Sequence, residues 1–175
     1  VILVTGATGN IGGALLKELH ARGVGPLRAL TRDAARAVFP QGVEVVEGDF
    51  AEPASLKPAL KGVRSLFLLS RLGPDADILE EARQAGVEHV VLVSSITVQT
   101  HPHLGPANEN LEVEQLLKET GMAWTILRPT QFASRQHWAG RSPSPRSAVS
   151  RPTRRCPRSS EPRPPTRCST SLVET

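Results

Sequence analysis

Val1-Ile2-Leu3-Val4-Thr5-Gly6-Ala7-Thr8-Gly9-Asn10-Ile11-Gly12 opens the chain, and its reading decides the fold. The aliphatic, β-branched run Val1–Thr5 predicts a strand. Three glycines follow at a spacing of three. Beyond them Ile11, Leu15, Leu16 and Leu19 recur at i, i+4, i+5 and i+8, the apolar stripe of a helix over Ile11–Arg22, with Gly23 as its stop. Leu27–Thr31 predicts a second strand. A strand, a glycine turn, an amphipathic helix and a strand in immediate succession make a βαβ unit.

The same rhythm continues outward. Further strands are expected at Val43–Val46, Ser65–Leu69, His89–Val93 and Ala123–Leu127, the last closed by Arg128-Pro129. Helices are expected at Pro53–Leu60, Asp75–Ala85 and Asn108–Thr120. Pro53 suits a first turn and Pro58 weakens the last turn of its helix. Gly86 and Gly121 act as stops, and Glu114 and Lys118 form an i, i+4 pair. Ser94–Pro106 reads as irregular. About six parallel strands with helices on both faces predict an α/β, Rossmann-like doubly wound sheet, with residues 1–140 as one domain.

A glycine turn between a strand and a helix is suited to one kind of ligand. A pyrophosphate needs backbone N–H donors, a chain that can approach closely and the positive end of a helix behind it. Gly6 permits the turn off the strand, Gly9 removes a Cβ that would block the phosphates, and Gly12 lets the helix pack closely on the strand. Thr5, Thr8 and Asn10 add side chains that can bond phosphate or pin the turn, and Ile11 brings a first-turn N–H. The spacing is Gly-x-x-Gly-x-x-Gly, not the commoner Gly-x-Gly-x-x-Gly. The plainer alternative is a tight turn with no ligand. The sequence context favours a nicotinamide dinucleotide, because the motif follows a strand and opens a helix.

The residue ending the second strand selects the cofactor, since an acid there pairs with ribose hydroxyls and a base suits a 2′-phosphate. Arg32 occupies that place, so NADP(H) is preferred. Asp33 follows and competes for the hydroxyl role, which keeps NAD(H) open. Asp49, in Gly48-Asp49-Phe50, can accept from an adenine amino group or simply form a turn.

Taken together, several segments resemble the NmrA-like branch of the atypical short-chain dehydrogenase/reductases. These are Val4–Gly12, Ala29–Arg32, Glu47–Phe50, Val93–Ser95 and Trp124–Phe132, in the family order over about the first 133 residues. The resemblance implies that Gly6–Gly12 binds pyrophosphate, Arg32 the 2′-phosphate, and Asp49 with its neighbour Phe50 the adenine. It further implies that Leu69 and Ser70 flank the adenosine ribose, and that Ser94, Ser95 and Pro129–Phe132, including Phe132, lie near the nicotinamide. The broader superfamily uses a Tyr-x-x-x-Lys pair as its acid, and this chain contains no tyrosine. The resemblance implies hydride delivery from NADPH to a small electrophile such as a quinone, or dinucleotide binding that only senses redox state.

Composition divides the chain. The net charge of +4 comes from residues 141–175, which hold 8 Arg against 2 Glu, whereas residues 1–140 are slightly acidic. The basic balance is therefore no sign that the folded part attracts nucleic acid. Residues 141–175 also hold 7 Pro and 8 Ser and no aromatic residue for stacking on bases, so a disordered tail is expected. Both cysteines, Cys156 and Cys168, fall there, and no disulfide framework is indicated. Apolar runs such as Val90–Val93 are strand-length, which predicts a cytoplasmic protein with no membrane partner. His101-Pro102-His103 matches no metal-ligand spacing. Asn108 and Asn110 read as caps of the helix that follows, with a place near the nicotinamide as the alternative. Trp124 reads as core.

Three readings compete: an NADPH-dependent reductase, a non-catalytic NADP(H) sensor, and a truncated product lacking the walls of a substrate pocket. The abrupt change after Gly140 suggests translation out of frame. Nucleotide sequence across the codons for Ala133–Gly140 tests this: a family-like continuation is expected in another frame, and its absence from all frames contradicts the idea.

Overall fold

The computed structural model describes residues 1–130. Expectations for Phe132 and for residues 141–175 lie outside the described residues. The elements are β1 (Ile2–Val4), α1 (Asn10–Ala21), β2 (Leu27–Thr31), β3 (Glu44–Glu47), a 3-10 turn (Pro53–Leu56) running into α2 (Lys57–Leu60), β4 (Ser65–Leu69), α3 (Asp75–Gln84), β5 (His89–Val93), α4 (Thr97–Thr100), α5 (Gly105–Glu119) and β6 (Ala123–Leu127). All strand pairs are parallel, in the order β3-β2-β1-β4-β5-β6. Four strands match the sequence reading to the residue, β1 and β3 match it to within one residue at each end, and the α1 stripe packs as expected.

The order places β1 centrally, with the chain leaving it in one direction through β2 and β3 and in the other through β4, β5 and β6. Right-handed crossovers then put α1 on one face and α2, α3 and α5 on the other. Two apolar layers reflect this. Leu16, with Ile11, Leu15 and Leu19 beside it, packs on Val4, Leu27, Ala29, Phe67 and Val93. Leu3, Leu66, Leu68, Val90, Leu92 and Ile126 face the opposite way, against Leu60, Ile78, Leu79, Val113 and Leu117. The period-2 alternation of side chains along β1, β4 and β5 feeds both layers from the same strands.

Three departures have physical reasons. Pro58 has no N–H to donate, and the expected helix Pro53–Leu60 is split there into a 3-10 turn and α2, with Pro58 in the first turn of the latter. The helix expected from Asn108 begins at Gly105, because Pro106 occupies its first turn, where a missing N–H costs nothing. The segment expected to be irregular contains α4, a single turn too short to show periodicity. Among the described residues no helix is long and apolar enough to cross a membrane.

Arg28 is an unusual member of β2, a strand whose five residues are all buried. Its guanidinium donates to the Ala59 and Lys61 carbonyls at 2.6 and 2.7 Å and to Glu44 at 2.9 Å, tying β2 to the end of α2. Leu92, on β5, is fully buried between β4 and β6. Leu92→Ala is expected to cost about 2–5 kcal/mol, read as a lower urea midpoint at unchanged slope.

Candidate functional site

At the carboxyl end of β1 the chain turns at Gly6, whose φ of +58° suits a residue without Cβ. The Gly9 N–H donates to the Gly6 carbonyl at 2.9 Å, closing the turn. α1 then starts at Asn10 with Gly9 as an N-cap that offers no side-chain hydrogen bond, and no acidic residue lies in its first turn. The first-turn amides of a helix have no intrahelical acceptor, and the helix dipole adds partial positive charge there. Among the described residues neither is neutralised in α1 by a side-chain cap or a first-turn acid, and Thr8, Gly9 and Asn10 are exposed around it.

Gly12 makes this geometry possible. A Cβ there would lie 2.5 Å from the Gly6 carbonyl oxygen and 2.6 Å from that of Thr5. Backbone meets backbone at this point, and α1 is seated against the end of β1. A Cβ on Gly6 would likewise meet Leu69 Cδ1 at 2.6 Å, so Leu69 closes the turn from the β4 side. Thr5 is 1% exposed and its Oγ1 accepts from the Leu69 N–H at 3.3 Å. This bond pins the turn to β4. The arrangement fits a pyrophosphate: a close-approach turn and, among the described residues, a first helical turn with no acidic residue and no side-chain cap.

At the end of β2, Arg32 is exposed and enters no ion pair among the described residues. Asp33, its competitor, is engaged locally. Its carboxylate accepts from the Arg36 N–H at 3.2 Å and lies 3.4 Å from Arg36 Nε. After β3, Asp49 forms a turn, with Oδ1 accepting from the Ala51 N–H at 3.0 Å and its backbone exchanging bonds with the Ser55 hydroxyl. Phe50 packs against Gly73, where a Cβ would sit 2.4 Å from the Phe50 carbonyl oxygen, so the β3 and β4 exits touch.

The β4 exit is held on all sides. The Ser70 hydroxyl lies 2.6 Å from Asn110 Oδ1 and 3.0 Å from the Val93 carbonyl, and Asn110 Nδ2 donates to the Pro106 carbonyl at 2.9 Å. Asn110 therefore ties α5 to β4 instead of capping a helix, while Asn108 stays exposed and reaches Glu112 at 3.3 Å. Arg71 adopts φ +66°, its N–H donates to Asp75 Oδ2 at 2.9 Å, and its guanidinium pairs with Glu109 at 2.6 Å. Asp75 Oδ1 is buried without a hydrogen-bond partner among the described residues, and burial, outweighing the Arg71 bond and charge, pushes its carboxyl up from the usual range. A cleft of about 480 Å³ opens beside it between Arg71–Ala76 and α5, unforeseen from the sequence.

At the β5 exit Ser94 is 6% exposed and its hydroxyl donates to Glu114 Oε1 at 2.6 Å. Ser95 Oγ accepts from the Thr97 N–H at 3.2 Å, which starts α4. Glu114 does not form the expected surface pair with Lys118. It is fully buried and clasped by Arg128, while the Lys118 ammonium lies 5.0 Å from the Trp124 ring centre. Burial is the largest influence on Glu114 and pushes its carboxyl up, but the bonds from Arg128 and Ser94 and the charges of Arg128 and Lys118 hold it below the ordinary range. Pro129 follows directly. Gly6–Gly12, Arg32, Asp49, Leu69, Ser70, Ser94, Ser95 and Pro129 thus share the carboxyl edge of one sheet, the edge at which open α/β sheets bind ligands.

Comparison with known proteins identifies the family. The sequence pattern of a family described as NAD(P)H-binding matches residues 6–152. The NAD(P)H azoreductase of Xenophilus azovorans is 36% identical over 139 residues, covering 75% of this chain and 48% of the azoreductase. Quinone oxidoreductase 2 of Escherichia coli (strain K12) is 32% identical over 137 residues, covering 73% and 48%. The crystal structure of Citrobacter sp. triphenylmethane reductase complexed with NADP(H) superposes with a TM-score of 0.68 at 31% identity, covering 75% of this chain and 50% of the reductase. The chain spans about half the length of the relatives it matches.

Two glycine substitutions separate packing from ligand approach. Gly12→Ala is expected to cost about 3 kcal/mol or more in urea unfolding, because backbone oxygens must move. Gly9→Ala, where a Cβ would sit 3.2 Å from the Gly6 oxygen, should cost about 1 kcal/mol. It should nevertheless weaken dinucleotide binding by about tenfold or more, measured by titration calorimetry.

Proposed function

The chain belongs to the NAD(P)H-binding family, and from that premise we propose that it holds NADP(H) along the carboxyl edge of the sheet, for hydride transfer to a small electrophile such as a quinone in the whole protein. The observation that carries the cofactor part is the N-terminus of α1, free of any side-chain cap or acidic residue and seated on the β1 exit through Gly12. In this reading the amides of Asn10, Ile11 and Gly12 receive the pyrophosphate, helped by the Thr8 and Asn10 side chains.

Selection of NADP(H) over NAD(H) falls to Arg32. It is exposed beside the turn and carries no internal ion pair among the described residues, while the Asp33 carboxylate is drawn away by Arg36. A guanidinium offers planar, paired donors to a phosphate, whereas a ribose hydroxyl has no charge to answer it. Asp49 and Phe50 bound the adenine, with the second Asp49 oxygen as acceptor. Leu69 and Ser70 flank the ribose. Ser94, Ser95, Pro129 and, outside the described residues, Phe132 lie toward the nicotinamide.

When bound, the nicotinamide supplies the hydride. The chain's own part is to fix the cofactor and keep the strand exits in place around it. The chain has no tyrosine, and direct hydride delivery to a quinone places less demand on a tuned acid than ketone reduction does. The names of the azoreductase and quinone oxidoreductase relatives support an easily reduced acceptor of this kind. Reduction also needs walls that exclude water and position the acceptor.

Calorimetric titration with NADPH and NADH tests the assignment. The chain is expected to bind NADPH about tenfold or more tightly, and Arg32→Ala to bring the two affinities together. An unchanged ratio in the variant would falsify the role given to Arg32. Oxidation of NADPH with a panel of quinones, followed by absorbance, then distinguishes a reductase from a sensor.

A further inference from the structure

Glu114 is 0% exposed, the most deeply buried ionisable side chain among the described residues. Arg128 donates to it twice, from Nε to Oε1 at 3.0 Å and from Nη2 to Oε2 at 2.6 Å, and Ser94 donates to Oε1 at 2.6 Å. Desolvating such a pair costs several kcal/mol, and aliphatic residues of similar volume often hold a helix on a sheet at least as well. Stability alone therefore does not account for the arrangement. Directed, charge-assisted bonds supply what aliphatic packing does not, a fixed position for each partner.

The partners fixed here are the first residues beyond two neighbouring strands. Ser94 follows β5 and Arg128 follows β6, while Glu114 reaches both from α5. The backbone continues the linkage past the strand ends, with the Ser94 N–H donating to the Leu127 carbonyl at 2.8 Å and the Ile96 N–H to that of Pro129 at 3.3 Å. Two exits and a helix are thus bound to one another. The glycine turn anchors a pyrophosphate at β1, and Arg32 and Asp49 draw the adenosine half toward β2 and β3. The other half then has to cross the exits of β4 and β5, the latter two strand spacings or roughly 10 Å from β1.

We infer that Glu114 is a positioning residue for the nicotinamide half of the dinucleotide, acting through Ser94 and Arg128. The inference rests on the cofactor reading above. It assigns Glu114 no contact with the cofactor: its effect is on where the β5 and β6 exits stand. A residue that served the fold alone would move the affinity for every part of the cofactor together. A positioning residue at β5 and β6 moves only the part that reaches them.

The test compares NADPH with adenosine 2′,5′-bisphosphate, which carries the adenosine half and both its phosphates but no nicotinamide, on the full chain and on Glu114→Gln. Adenosine 2′,5′-bisphosphate affinity is expected to stay within about twofold, and NADPH affinity to fall about tenfold or more, with the fluorescence of the bound nicotinamide shifting toward that of free NADPH. Arg128→Lys keeps a positive charge beside Glu114 but cannot form the two-pronged bond, and it serves if Glu114→Gln fails to fold. The same split, smaller, is expected. Equal losses for both probes, or no loss of NADPH affinity in a folded variant, overturns the inference and leaves the cofactor reading standing. Failure of the unmodified chain to bind either probe overturns the cofactor reading, and this inference with it.

Discussion

Everything at the carboxyl edge depends on one steric contact, the backbone of α1 at Gly12 against the backbone of β1 at Thr5 and Gly6. With a Cβ position only 2.5 and 2.6 Å from the two carbonyl oxygens, no side chain can be accommodated without displacing the helix or the strand. The contact sets where the first turn of α1 stands, and hence where its amides and partial charge act. Gly6 and Leu69 close the same turn from the other side, so the end of β4 is registered against the end of β1. The apolar layer beneath α1 is what makes the contact affordable, since Leu16 and its neighbours press the helix onto the sheet.

The two halves of the edge are built differently. On the β2 and β3 side the polar groups are exposed or engaged only in local turns: Asp33 with Arg36, Asp49 with Ala51, and Arg32 with no ion pair among the described residues. That side offers charge to a ligand. On the β4, β5 and β6 side, apart from the exposed Arg71–Glu109 pair, the polar groups are buried or half-buried and bonded to one another, Ser70 with Asn110 and Ser94 with Glu114 and Arg128. That side offers shape. A dinucleotide whose charge is concentrated in its phosphates and whose nicotinamide is a flat ring to be oriented matches this division, with electrostatic capture at one end and geometric definition at the other.

The sequence was legible where local rules decide the outcome. β2, β4, β5 and β6 were placed to the residue, because short β-branched runs bounded by turn residues leave little choice of period. The glycine turn was legible because its spacing, its strand and its helix are contiguous. Partners brought together by the fold were not. Glu114 and Lys118 look like a solvated helical pair, and only the arrival of Arg128 from β6 shows that Glu114 points inward. Asn110 looks like a cap when the helix is started at Asn108. With Pro106 in the first turn, the same side chain lies inside the helix and faces Ser70. Asp75 and the cleft beside it left no periodic trace at all, since they arise from a loop bending back on α3 and α5.

The central claim is that the first turn of α1 receives the cofactor's pyrophosphate. It is tested most directly by a nuclear magnetic resonance titration of the ¹⁵N-labelled chain with NADPH, following backbone amide shifts. Saturable shifts concentrated at Thr8 to Gly13, with the amides moving as expected for new hydrogen bonds to phosphate, are the predicted result. Saturable binding that leaves the amides of Asn10, Ile11 and Gly12 unmoved would contradict the account.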